Sequence, residues 1–283
     1  MALPEGRIYE HRLHAGNVGD VLKHIGLVGW LGARRGPAVY IDTHAGAGSY
    51  SLASTGEWTE GLGRILEGPA GRPPMVEAWA KVVEPAFKSA RRCLGSPEIA
   101  ARVLETGDSL LTSELVPEVA EQLRTSLGSR ATVRTGDGLA ALIPDLEAHA
   151  GRQRFVLCDP PFADKREWQT VPRALIEAYR RFPEAHYCLW YPVKSWARPN
   201  AMLNELAKSD VPAVTLELLS TPLTSKKNRL NGSGLVFLNP PPGLIEPLSA
   251  TLSWLGPRLA THAGWWSSRA IGWDVGHRPG QEL

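Results

Sequence analysis

Short apolar runs that stop at an acid, a glycine or a proline recur along this chain, with helix-like segments between them. That alternation leaves few folds open. AVYID (38–42), DSLLTSE (108–114), ATVRT (131–135), RFVLCD (154–159) and HYCLWYP (186–192) read as strands, followed by AVTLELLS (213–220) and GLVFLN (234–239). Residues 116–127, 168–182 and 199–208 read as helices between them. A parallel strand pair needs a long crossover, usually a helix, so the pattern predicts an α/β domain with a mostly parallel sheet. At 283 residues and 43% hydrophobic, the chain is long enough for one sizeable core.

The rhythm breaks once. After the first strand and its glycine turn, residues 55–95 hold no strand-like run. They contain GLGRILE (61–67) and MVEAWAKVVEPAFKSARRCL (75–94), two helical stretches separated by the turn GPAGRPP (68–74). The reading is a Rossmann-like domain formed by 1–54 and 96–283, interrupted by a small helical subdomain over 55–95. Ser96 and Pro97 then open the next helix, with serine expected as N-cap and proline at the first helical position. The final GWDVGHRPGQEL (272–283) is expected to be a loose tail.

A net charge of +2 does not by itself mark a nucleic-acid binder, so any such role must come from local basic patches. Cys93, Cys158 and Cys188 show no CxxC spacing, which argues against a disulfide framework and a cysteine zinc site and favours a reducing compartment. With no signal-peptide pattern and no apolar stretch of transmembrane length, the expectation is a cytoplasmic protein with no membrane partner.

The strand ends carry the chemistry. The first strand runs into DTHAGAGSYS (42–51), where Gly46 and Gly48 allow a tight turn and a close backbone approach to a ligand. The next strand ends in Glu114, and the third is followed by GDG (136–138), which contributes Asp137 and Gly138. Carboxylates at successive strand ends suit ribose hydroxyls and the amino edge of an adenine. A dinucleotide site would place its ribose acid about 20 residues past the glycines, and a third glycine is missing, so NAD is disfavoured.

DPPF (159–162) follows the fourth strand. Its prolines stiffen the turn and leave carbonyls free to accept. Asp159 and the Pro160 carbonyl can accept from the two N–H bonds of an exocyclic amine, while Phe162 offers a ring to stack on the base. The nitrogen lone pair then points at an electrophilic methyl, a pocket that suits amino-group methylation by S-adenosylmethionine without a metal. LNPPP (238–242) looks similar but has Pro242 where the ring would stand, and reads as a structural strand exit.

The N-terminal YEHRLHAGNVGDVLKH (9–24) places His11, His14 and His24 close together, with His44 in the glycine loop. A metal-dependent hydrolase using them with Asp20 is one reading. The other is a wall of the cofactor pocket, with Lys23 and His24 near the methionine carboxylate. Basic residues for RNA are scattered: Lys165-Arg166 after DPPF, Lys88, Arg91 and Arg92 in the insertion, and SKKNR (225–229).

Taken in order, YEHRLHAGNVGDVLKH, YIDTHAGAGSYSL, GSPEIA, SELVP, GDG, LCDPPF, LWYPV and GLVFLNPP resemble the RlmJ family over roughly residues 9–241. These are bacterial adenine-N6 methyltransferases acting on large-subunit (23S) ribosomal RNA. The resemblance implies a class I methyltransferase domain, S-adenosyl-L-methionine as cofactor and S-adenosyl-L-homocysteine as product. It implies cofactor contacts from His24, His44, Ser96, Glu114, Asp137, Gly138 and Asp159, with Asp159 also taking the proton lost from the amine. Tyr9 would touch the RNA and His11 beside it would respond to ligands. Phe162 stands where tyrosine is common, keeping a stacking face without the hydroxyl. The expected substrate is naked or partly assembled 23S RNA and the expected state a monomer. A DNA adenine-N6 methyltransferase, the metal-dependent hydrolase and a non-catalytic RNA-binding protein are the alternatives.

Overall fold

A computed structural model of the protein describes residues 14–224, 230–273 and 281–282. Tyr9, His11 and the SKKNR loop (225–229) lie outside the described residues.

The seven predicted strands are all present. They are β1 (Ala38–Asp42), β4 (Ser109–Glu114), β5 (Thr132–Thr135), β6 (Gln153–Cys158), β7 (His186–Val193), β8 (Ala213–Leu219) and β9 (Gly232–Leu238). With β10 (Ser267–Trp273) and β11 (Gln281–Glu282) they form one sheet in the order β11-β10-β8-β9-β7-β6-β1-β4-β5. From β5 to β7 every pairing is parallel, and from β7 to β11 every pairing is antiparallel. Only β9 and β10 therefore run against the rest. The C-terminal stretch is not all loose tail: Gly272 and Trp273 end β10, which pairs antiparallel with β8, and Gln281–Glu282 pair with β10 at the edge of the sheet.

Residues 55–95 hold the two predicted helices, α2 (Leu62–Leu66) and α3 (Pro74–Ala90), and one strand the periodicity misses. That strand, β3 (Arg92–Leu94), pairs antiparallel with β2 (Ser49–Ser51). Three residues are too few to show a period of two, so only the pairing reveals them.

Alternation along β1 sorts the two faces. Ala38 and Tyr40 face a cluster holding Leu22, Ile25 and Trp30 of α1 (Val18–Gly32), and Val39 and Ile41 face the opposite one. The first cluster also takes in Leu62, Ile65, Trp79, Val83 and Phe87, so the inserted helices share the core of the sheet. It is completed by α4 (Ser96–Val103), α5 (Pro117–Leu127) and α9 (Ile245–Leu259). The other face is covered by α6 (Gly138–Ala148), α7 (Glu167–Arg181) and α8 (Ala197–Ala207) through Leu146, Val171, Leu175 and Met202.

Ser96 differs from its expected role. Gly95 is the N-cap of α4, and Ser96 is the first helical residue, with its hydroxyl donating to Asp42 Oδ2 at 2.7 Å. The hydroxyl serves instead as a donor to a buried carboxylate at the end of β1.

Candidate active site

Parallel register aligns the strand ends. Asp42 is opposite Leu157 on one side and Thr112 on the other, so His44, Asp159 and Glu114, each two residues further on, stand at one level. Glu114 is opposite Thr135, and Asp137 follows two residues later. Four carboxyl ends thus converge on one crevice, where open α/β sheets bind ligands.

The glycine turn is held from both sides. Gly46 and Gly48 have φ of +64° and +79°, conformations that favour glycine. Gly46 N donates to Glu114 Oε2 at 3.0 Å, and Gly95 N donates to Gly48 O at 2.7 Å. Glu114 Oε1 accepts from Val116 N at 2.9 Å, which fixes the carboxylate. Asp137 caps α6 through Leu139 N and Ala140 N. Gly138 lies so close to β1 that a Cβ there would meet the Thr43 carbonyl oxygen at 2.2 Å.

Beneath the turn, Asp42 is fully buried and accepts from Tyr40 Oη (2.9 Å), Ser96 Oγ (2.7 Å) and His44 N (3.3 Å). Burial pushes its carboxyl up to about 6, against the opposing hydrogen bonds from Ser96 and Tyr40. His44 Nδ1 lies 2.8 Å from Thr43 Oγ1, and burial holds the ring below the usual histidine range.

Lys23 has a different partner from the one expected. Its ammonium donates to Asp159 Oδ2 at 2.5 Å and contacts Asp20 Oδ1 at 2.8 Å, instead of standing free for a methionine carboxylate. Burial by itself would lower its pKa, but the two carboxylates more than offset this and raise it, so the ammonium is permanent. The pair leaves Asp159 Oδ1 and the Pro160 carbonyl without hydrogen-bond partners among the described residues. Asp20 is set by its helix: Asn17 caps α1 by accepting from Asp20 N, and Asp20 Oδ2 accepts from Gly16 N at 2.8 Å. His24, next along α1, is 4% exposed and turned inside.

Phe162 is not an open stacking platform. It is 7% exposed and packs on Trp168 with ring centroids 4.2 Å apart. Its φ of +49° is a left-handed conformation rare for an aromatic residue, a strain of about 1–3 kcal/mol of the kind found at ligand clamps. Lys165 is exposed on the same loop.

His14 of the N-terminal segment and His44 of the glycine loop have separate partners. His14 Nδ1 lies 3.0 Å from Glu57 Oε1, far from the pairing of His44 with Thr43 in the chain and in partner. Among the described residues no three His, Cys, Asp or Glu side chains are placed to hold one ion.

Sequence reading missed Asp42, Tyr40 and two neighbours of Glu114. Leu115 and Val116 are 65% and 46% exposed, among the few large apolar side chains left in water. Flanked by Glu114 and Asp137, they form an apolar wall beside carboxylates, which fits a purine nucleoside. Their signal was present in SELVP: two apolar residues between an acid and a helix-opening proline.

A family model described as ribosomal RNA large subunit methyltransferase D, RlmJ, matches residues 35–273. The chain belongs to the RlmJ family. Ribosomal RNA large subunit methyltransferase J of Escherichia coli K12 is 35% identical over 263 residues, covering 89% of this chain and 93% of its own. The Haemophilus influenzae protein of the same name is 32% identical over 267 residues, with the same two coverages of 89% and 93%. The crystal structure of a Legionella pneumophila protein superposes with a TM-score of 0.82 at 27% identity, covering 92% of this chain and 98% of that one. The RlmJ match and the sheet order agree with a Rossmann-like class I methyltransferase fold. No helix of the described residues is long and apolar enough to cross a membrane.

Proposed function

We propose that this chain transfers a methyl group from S-adenosyl-L-methionine to the exocyclic N6 of an adenine in 23S ribosomal RNA, leaving S-adenosyl-L-homocysteine. The observation that carries the reading is Asp159, whose Oδ2 is held by Lys23 while Oδ1 and the neighbouring Pro160 carbonyl have no hydrogen-bond partner among the described residues and so have capacity to accept. Those two acceptors match the two N–H bonds of an amine. Family membership and the names of the relatives support the ribosomal RNA substrate.

The carboxylates and the Leu115–Val116 wall suit the nucleoside part of the cofactor, with Glu114 and Asp137 accepting from hydroxyls. When bound, the cofactor supplies a methyl made electrophilic by its sulfonium. Asp159 orients the amine and accepts the proton it loses, and Lys23 holds that carboxylate in place. Positioning of this kind supplies most of what the protein must add. Phe162 contributes by stiffening the clamp, and its ring reaches a base only through an edge or after leaving Trp168. The target adenine must be unstacked, at about a few kcal/mol if paired, which favours naked or partly assembled RNA.

The test is nucleoside mass analysis of 23S RNA fragments incubated with the protein and cofactor, beside DNA of matched sequence. N6-methyladenosine is expected in RNA and not in DNA. Asp159→Asn should lower turnover by about 10²–10⁴-fold while cofactor binding, measured by calorimetry, is retained. Wild-type turnover in that variant, or methylation confined to DNA, overturns the reading.

A further inference from the structure

Most cations of the described residues are already committed to carboxylates or carbonyls; Arg130 on Glu98, Arg134 on Asp145 and Arg269 on Glu217 are examples. The arginines and lysines whose side chains have no ion pair or hydrogen bond there are Arg35, Lys81, Lys165, Lys194, Arg198 and Lys208, all exposed. Their distribution is uneven. Arg35 and Lys208 lie at the amino ends of the strands, just before β1 and just after α8, and Lys81 lies on α3. The other three follow the carboxyl ends of the adjacent strands β6 and β7, beside Asp159.

Register fixes their height. Cys158 is opposite Leu189, so Asp159 is level with Trp190 and β7 runs on to Val193, held by β9. Lys194 therefore stands four residues above the level of Asp159, about 13 Å at the rise of a strand. Arg198 sits in the first turn of α8, which has neither an acidic residue there nor a side-chain cap. A cation at a helix N-terminus opposes the helix dipole, whereas an anion bound there is favoured by both. None of the three cations pairs with the acids of the β6 loop: Asp164 is taken by Arg166, and Glu167 Oε2 accepts from Asp164 N.

We propose that Lys165, Lys194 and Arg198 form a phosphate-binding rim that holds the strand of RNA flanking the target adenine, so that the RNA enters over β6 and β7. The cofactor half, over β1, β4 and β5, presents the apolar Leu115 and Val116 instead. The inference rests on the RNA reading above and adds the direction of approach. Phosphate contacts position a strand without reading its sequence, so the rim governs affinity and not the choice of base.

The test compares the full-length wild type, the double variant Lys194→Gln/Arg198→Gln, and a control Arg35→Gln/Lys208→Gln on 23S RNA fragments. The rim variant is expected to raise KM for RNA about tenfold with kcat and cofactor affinity unchanged. It should also flatten the dependence of log KM on log salt by about 1.4, the loss of two contacts to a single strand. The control is expected to match the wild type. An unchanged KM and salt slope in the rim variant, or an equal loss in the control, overturns the proposal while leaving RNA methylation standing. A wild type that methylates no RNA overturns both.

Discussion

Asp42 shows how one buried acid organises a site it does not enter. Its three donors come from its own strand, from the glycine turn and from α4, and together they fix Ser96 and the His44 backbone. Removing a carboxylate from water favours its neutral form, which is why its pKa rises to about 6 from 3.8. The unfolded chain releases this proton near 3.8 and the folded chain near 6, so the stability Asp42 contributes is full below the first value and lost as pH rises through the second. Relative to Asp42→Asn, the wild type should therefore lose on the order of 3 kcal/mol between pH 3.8 and pH 6 or above. Chemical denaturation of both proteins across that window measures the difference. Lys23 follows the opposite logic: burial disfavours its ammonium, and the carboxylates of Asp159 and Asp20 hold it charged.

Between elements, the crevice depends on how closely turns approach strands. Gly138 opens α6 directly against the end of β1, where a Cβ would lie 2.2 Å from the Thr43 carbonyl oxygen and 2.7 Å from the Thr43 Cα. These are backbone atoms, so the clash cannot be relieved by a side-chain rotation. Gly138→Ala should cost about 1–3 kcal/mol of stability and weaken cofactor binding, because the displaced turn carries Asp137. Urea unfolding and cofactor titration read the two effects separately. The GDG motif announced this turn in the sequence, and the alternation of strands and helices announced every strand that lines the crevice. Four strands escaped: β2, β3 and β11 are two or three residues long and exist only through their pairings, and β10 is a seven-residue edge-side strand held antiparallel to β8.

For the whole molecule, the sheet divides its labour at β7. The parallel half brings carboxyl ends to one crevice, and the antiparallel half begins at β7, the strand that Lys194 and Arg198 follow. The inserted stretch 55–95 is tied into the same core, with Trp79 fully buried beside α1. We propose that it folds as one unit with the sheet. Trp79→Ala should cost about 3–5 kcal/mol and lower a single cooperative transition. Two separate transitions in calorimetry would mean that the insertion is an independent subdomain.

Composition, periodicity and the residues at strand ends determined the α/β class, the strands of the central sheet, the crevice and the acids that line it. These follow from local chemistry: an apolar run needs a buried face, and a strand's last residues face the ligand side. Only the tertiary structure decided that Lys23 pairs with Asp159 across 136 positions of chain, that Asp42 holds Ser96, and that Phe162 is spent on Trp168. Each is a competition for one partner among several, settled by distance and burial. The sequence of DPPF named an acid and a ring; the fold left the acid with one oxygen to offer and took the ring for its core.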